Sequence, residues 1–208
     1  MVRIYTRKGD DGTTGLLYGG RVTKASPRVE LNGAVDEAQA ALGAARAESD
    51  PASELDELLV VLERELYVLM AEVATAPKNR QKLIGGETLV TAQMVLRLEE
   101  WIDRLTERFD MPAAFVVPGA NRTAAALDLA RTVVRRAERV LASMPPIAEA
   151  PDGARQERRA TGGVPAGVQP SQVGPYLNRL SDLLWTMARW QEGEVHLAAR
   201  ARPSGGAD

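Results

Sequence analysis

The segment TRKGDDGTTG, residues 6–15, combines residue types and spacing that suit anion chemistry. Gly9, Gly12 and Gly15 let the backbone turn successive N–H groups toward an anion, and Arg7, Lys8 and the hydroxyls of Thr13 and Thr14 add donors. A polyphosphate fits such a loop, and so does a plain solvated turn. It is not a Walker A loop, because no Gly-Lys-Ser/Thr follows at the required spacing, and it is not a GxGxxG that opens a helix after a strand. Asp10 and Asp11 are carboxylates of the kind that hold magnesium through water beside substrate phosphates.

A second candidate is ARTVVRRAERVL, residues 130–141. On a helix, Arg131, Arg135 and Glu138 fall within about 40° of one line, whereas the apolar residues around Ala130 and Val134 centre about 120° away. Arg136 and Arg139 point elsewhere. Two guanidiniums in line beside an apolar wall suit oxyanion recognition. The competing reading is a salt-bridged surface, since Glu138 can pair with either Arg135 or a neighbouring arginine. FVVPGAN, residues 115–121, is a short apolar run ending in a turn; its Phe115 suits a core or the wall of a pocket. In YLNRLSDLLW, Asn178 shares a line with Ser181 and Trp185, where it could read a base or sugar or simply face solvent.

Composition narrows the chemistry. Among 208 residues there is no cysteine and one histidine, His196, so disulfides and thiolate metal sites are excluded, and a multi-histidine metal centre and a Ser-His-Asp triad nearly so. The 26 basic residues against 28 acidic ones give a formal net charge of -2, which offers no field to draw in nucleic acid or an anionic membrane. Charges interrupt every long apolar stretch, and the N-terminus has no signal core, so a soluble cytoplasmic protein is expected.

The elements that must position these residues are helical. Apolar spacing of three and four predicts helices over about residues 29–48, 51–77, 94–109, 121–144 and 176–200. Asp50 and Pro51 read as the start of the second helix, and small side chains on the first suggest close helix contact. Residues 1–28 read as a loop with one short strand near residues 2–5. Residues 145–175, rich in Pro, Gly and polar groups, read as a flexible linker, and residues 201–208 as a frayed tail. One all-α domain, a five-helix bundle, follows.

Taken in order, YTRKGDDGTTGLLYGGRVTK, GAVDE, FVVPG with ARTVVRRAER, and YLNRLSD resemble the PduO-type corrinoid adenosyltransferases over nearly the whole chain except the linker and tail. The resemblance implies a ferritin-like, cobalamin adenosyltransferase-like bundle with an irregular N-terminal nucleotide-binding loop. It implies transfer of the 5'-deoxyadenosyl group of ATP to the cobalt of cob(I)alamin, with adenosylcobalamin and triphosphate as products. It also implies a homotrimer with ATP between subunits.

By the same resemblance Thr6, Arg7, Lys8, Gly9, Gly12, Thr13, Thr14 and Lys24 wrap the triphosphate, with Mg²⁺ held mainly by its phosphates. Arg135, Glu138 and Asn178 match positions that contact ATP, and Arg136 and Arg139 of the same block are grouped with them. Asp36 and Arg131 match a pair that meets across the subunit interface. Phe115 matches the aromatic residue in the lower-ligand place beneath cobalt. A cobalamin reductase and a B12-dependent mutase are the implied partners.

Two positions depart from many relatives: Ala120 stands for a glycine and Asp128 for a histidine. Asp128, three before Arg131, could pair with it and compete with Asp36. The linker is longer than expected, which suggests an insertion rather than a lid over cobalamin across residues 154–174. The contrasting reading is a non-catalytic, ATP-binding helical sensor or scaffold. A nearer rival, an ATP-using transferase with another acceptor, would have no use for Phe115.

Overall fold

The computed structural model describes residues 4–145, 147, 170–192 and 196–197. A hairpin opens the described chain, β1 (Thr13–Gly15) antiparallel to β2 (Arg21–Thr23), with Thr13 opposite Thr23 and Gly15 opposite Arg21. Four long helices follow: α1 (Pro27–Ala47), α2 (Glu54–Val73), α3 (Ala92–Thr106) and α4 (Arg122–Ser143). A 3-10 turn (Pro77–Lys82) lies between α2 and α3. After the undescribed stretch comes α5 (Val173–Gln191). Two-residue strands β3 (Val116–Val117) and β4 (His196–Leu197) pair antiparallel. Among the described residues the architecture is the all-α, five-helix bundle expected.

Four helix starts carry the same device. Ser26, Ser53, Thr91 and Asn121 each accept the backbone N–H three residues on, satisfying a donor that the first turn leaves orphaned. The second helix therefore starts later than expected. Ser53 caps it, not Asp50, because Ser53 Oγ receives Asp56 N at 3.2 Å while Asp56 Oδ2 receives Ala52 N at 3.2 Å, a reciprocal arrangement that fixes the turn containing Pro51.

Helices α1 and α4 meet through small residues, Ala34, Ala38 and Ala45 on one and Ala124, Ala130 and Ala137 on the other, all buried. Helix α4 also packs on α5, α5 on α3, and α1 on α2. Leu31, Leu62, Leu66, Leu98, Leu127 and Leu180 are fully buried where these faces converge. Each contributes roughly 1.5–3 kcal/mol by leaving water.

Buried acids complete the ring of helices. Glu65 of α2 accepts the Tyr176 hydroxyl of α5 at 2.7 Å and pairs with Arg97 of α3. Burial and the facing Glu65 push the Tyr176 phenol well above its ordinary value, so it stays a donor. Glu72 is fully buried and receives Arg80 at 2.7 Å, Val90 N at 2.8 Å and Ser171 Oγ at 2.6 Å, joining α2 to three other segments.

Several boundaries differ from the sequence expectation. Helix α5 begins at Val173 and ends at Gln191, not at residues 176 and 200, because the chain turns at Glu192 and supplies β4 beside β3. Residues 173–174 of the supposed insertion are thus helical. The rest of that segment, apart from residues 170–172, and the tail at residues 201–208 lie outside the described residues. Ile4 and Tyr5 form no strand, and the N-terminal hairpin lies further on. Helix α3 stops at Thr106, and Phe109 packs beyond it, edge-on to Trp185 with ring centroids 6.4 Å apart. No helix among the described residues is long and apolar enough to cross a membrane.

Candidate functional site

The N-terminal loop is held by its own short-range bonds. Asp11 Oδ1 accepts both the Thr13 backbone N–H at 3.0 Å and the Thr13 hydroxyl at 2.8 Å. These bonds, with the Arg21 guanidinium nearby, hold the Asp11 carboxyl below its ordinary value. Arg21 reaches back from β2 to donate to Lys8 O at 2.5 Å and to Thr13 Oγ1 through Nε at 2.9 Å. Gly12 takes φ +77°, a left-handed conformation that glycine adopts without the cost of a Cβ. Its carbonyl accepts Lys24 N at 2.9 Å, and the Lys24 side chain lies over Gly9, where a Cβ would come within 3.2 Å of Nζ.

Gly9 and Gly12 are thus brought beside Lys24, a residue that only the family resemblance had placed with them, and the Lys8 carbonyl and Thr13 are drawn together by Arg21. Thr6 and Arg7 stand exposed at the loop's entrance, Thr14 opposite Val22 in the hairpin. Both Asp10 and Asp11 are exposed, but Asp11 is committed to shaping the loop, which leaves Asp10 as the carboxylate with no hydrogen bond or ion pair among the described residues. No group of three or more Asp, Glu, His or Cys among the described residues could hold a metal ion. The loop is tied to the bundle where Leu17 N donates to Ala74 O at 2.9 Å, at the C-terminal end of α2.

The second group lies on the edge of α4 that faces α5. Asn178 Nδ2 donates to Glu138 Oε1 at 2.9 Å, so the two residues expected to read a nucleoside are joined across the helices. Arg131 is half-buried, and Arg135 is exposed with no ion pair or hydrogen bond among the described residues. Arg136 turns to the opposite side and pairs with Glu37 of α1, holding the Glu37 carboxyl below its ordinary value. That exposed ion pair links α4 to α1, and it sets Arg136 apart from the line of Arg131, Arg135 and Glu138. Arg139 is exposed on the outer face.

Phe115 is 89% exposed, which discards the core alternative for it. Met111 and Val117 beside it in sequence are also exposed. The turn that carries Phe115 is fixed by the β3–β4 pair and by Asn121, whose Nδ2 donates to Gln191 O at 2.7 Å while its Oδ1 caps α4. Asp36 is exposed on α1 and lines a groove of about 530 Å³ with Gln39, Glu63 and Tyr67. Within one chain Arg131 does not meet Asp36; its Nε donates to Asp128 Oδ1 at 3.0 Å.

Sequence reasoning anticipated Asp128 as a partner for Arg131 but missed what lies behind it. Asp128 Oδ2 sits 2.6 Å from Nη2 of Arg189, and Arg189 pairs in turn with Glu192 at 2.6 Å. All three are buried. The sequence carries no such signal, because at about 100° per residue Arg189 falls near the line of Trp185, away from the apolar stripe of Leu184, Met187 and Ala188. No hydrogen bond or ion pair among the described residues joins the N-terminal loop to the α4–α5 edge.

The family model of the cobalamin adenosyltransferases matches residues 4–191. The corrinoid adenosyltransferase of Citrobacter freundii is 38% identical over 195 residues, 92% of this chain and 96% of that protein. The corrinoid adenosyltransferase of Mycobacterium tuberculosis is 37% identical over 189 residues, 91% of this chain and 88% of that one. A variant of the PduO-type ATP:corrinoid adenosyltransferase of Lactobacillus reuteri, solved in complex with cobalamin and ATP, superimposes with a TM-score of 0.70 at 28% identity, covering 90% of each chain.

Proposed function

The chain belongs to the cobalamin adenosyltransferase family, and on that premise we propose that it transfers the 5'-deoxyadenosyl group of ATP to the cobalt of cob(I)alamin. The observation that carries this reading is the cationic α4–α5 edge, with Arg135 open beside the Glu138–Asn178 pair, in a chain of this family. A sensor or scaffold without chemistry is not favoured, since the relatives named above are transferases.

The reaction needs no protein nucleophile, in keeping with a chain that has no cysteine and one histidine. The Co(I) electron pair forms the Co–C5' bond, the C5'–O bond breaks, and its electrons leave with triphosphate. Cobalt is formally oxidised from Co(I) to Co(III). The protein's tasks are alignment, stabilisation of the charge that grows on the leaving group, and exclusion of water. Lys8, Lys24, the Thr6–Gly9 backbone and the Thr13 and Thr14 hydroxyls would cradle the triphosphate, whose Mg²⁺ arrives with the nucleotide. Arg135 would meet the developing charge, and Glu138 with Asn178 would hold the nucleoside. Phe115 offers cobalt no lone pair and shields its lower face, which suits a four-coordinate metal that is easier to reduce.

We assign the assembly as a homotrimer with each site shared between subunits. The separation of loop and α4–α5 edge within one chain supports this, as does the exposure of Asp36, which would then reach Arg131 of a neighbour. A cobalamin reductase would supply Co(I), and a B12-dependent mutase would use the product.

The test is to mix the purified protein with MgATP and chemically reduced cob(I)alamin without oxygen and follow the absorbance spectrum. Decay of the Co(I) band into an adenosylcobalamin spectrum that requires both protein and ATP is expected. A flat trace despite measured ATP binding would sink the transferase reading. Sedimentation equilibrium should give three times the chain mass, and a monomer would remove the shared site.

A further inference from the structure

Arg189 is 3% exposed on α5, Asp128 is 4% exposed on α4, and Glu192 is 9% exposed just past α5. Charges this deep persist only when paired. Nη2 of Arg189 lies 2.6 Å from Asp128 Oδ2 and 2.8 Å from Glu192 Oε1, and the guanidinium carbon stands 5.5 Å over the Trp185 ring. Nε faces Glu192 Oε2 at 2.6 Å as an ion pair without hydrogen-bond geometry. Burial raises the Glu192 carboxyl, and the adjacent Arg189 opposes that rise.

The arrangement at Asp128 is asymmetric. One carboxylate oxygen faces the buried Arg189, and the other accepts from Nε of Arg131, whose side chain is 25% exposed. Bonding at Nε fixes the plane of the guanidinium while its terminal nitrogens have no partner among the described residues. A long side chain that would otherwise sample many rotamers is thus gripped from behind and presents a flat two-pronged donor outward. The order is Glu192, Arg189, Asp128, Arg131: acid, base, acid, base, with two positive and two negative charges.

We propose that Asp128 and Arg189 are positioning residues for adenosyl transfer, holding Arg131 in the orientation in which its terminal nitrogens serve the shared nucleotide site. This rests on the transferase reading and deepens it. The pair Asp128–Arg131 does not compete with Asp36 of a neighbouring subunit, because it occupies Nε and leaves the outer prongs free. Without the planar fork of Arg189 on Oδ2, the Asp128 carboxylate would be free to turn, and its hold on Nε of Arg131 would loosen.

A double-mutant cycle in the intact protein tests this. Wild type, Asp128→Asn, Arg131→Ala and the double variant are first checked for folding by circular dichroism. ATP Kd by calorimetry and kcat/KM for ATP in the cob(I)alamin assay are then compared. Asp128→Asn should lower kcat/KM about tenfold in the wild-type background and less than twofold where Arg131 is already alanine. Equal losses in both backgrounds, or no loss in either, would overturn the proposal, since a merely structural acid acts regardless of Arg131. If Asp128→Asn fails to fold, Arg189→Lys, which keeps the buried charge but loses the planar fork, replaces it in the same cycle. An independent readout is the Arg131 Nε–H resonance in ¹⁵N-labelled protein: protected from exchange in wild type and exposed in Arg189→Lys is expected, and protection in both would count against the proposal. A wild type that binds ATP yet forms no adenosylcobalamin would remove the transferase reading alone, and the cycle would still be read in Kd.

Discussion

The N-terminal loop and the α4–α5 edge carry the two halves of the proposed site, and they are built in opposite ways. In the loop, Asp11, Thr13, Arg21, Lys8 and Lys24 are exposed or half-exposed, and every bond that shapes them spans fewer than twenty residues. On the edge, Asp128, Arg189 and Glu192 are buried, and the bond that matters joins residues 61 apart. The loop can reshape around a polyphosphate at small cost, because its donors already trade with water. The edge cannot, since moving one member of a buried charge cluster strands the others. A flexible cradle and a rigid anvil suit a reaction that must admit a charged substrate and then hold one carbon in line with a metal.

The sharpest break in this comparison is expected at Arg135. Arg135→Ala should remove about 2–4 kcal/mol of transition-state stabilisation, by analogy with the loss of an oxyanion donor. Its melting temperature should not move, because the side chain is exposed and unpaired among the described residues. An unchanged kcat/KM would exclude it from the site.

Phe115→Ala comes next. It should slow adenosylation tenfold or more, about 1.4 kcal/mol in the barrier, while ATP affinity stays as it was. Equal losses in rate and ATP affinity would refute its place beneath cobalt.

Arg21→Gln probes the loop. Losing its bonds to Lys8 O and Thr13 should weaken ATP binding by about 1 kcal/mol, measured by calorimetry, with no change in melting temperature. A lowered melting temperature would mean that the loop is as integral to the fold as the edge, and the contrast between the two regions would collapse.

The smallest effect concerns Glu192. Its carboxyl is raised in the folded protein, chiefly by burial, so the native state binds its proton more tightly than the unfolded chain does. This group's contribution to stability is therefore largest at low pH and declines as pH rises through the folded value. The melting temperature of Glu192→Gln relative to wild type should rise between pH 4 and pH 7. A constant difference would show that Arg189 cancels the burial cost in full.

Much of this was legible in the sequence, for identifiable reasons. The helices of the bundle announce themselves by periodic leucine and alanine, and Asn121 sits where a cap belongs. The line of Arg131, Arg135 and Glu138 follows from helix geometry alone. What went wrong was local competition: Ser53 displaced Asp50 as cap because its partner Asp56 returned a bond to the turn. Helix α5 stopped nine residues early, at Gln191 rather than residue 200, because β3 offered backbone pairing to the residues beyond it.

By itself the sequence determined the helical class and the family, since each depends on residue type at short spacing. Only the tertiary structure decided that Phe115 faces solvent, that Arg136 belongs to Glu37, and that Asp128 stands between Arg131 and a buried Arg189. The physical reason is range. Periodicity, caps and turn chemistry act within a few residues and are written locally, whereas the partner of a buried charge is chosen by which helix faces pack together, and that choice is made by the whole core at once.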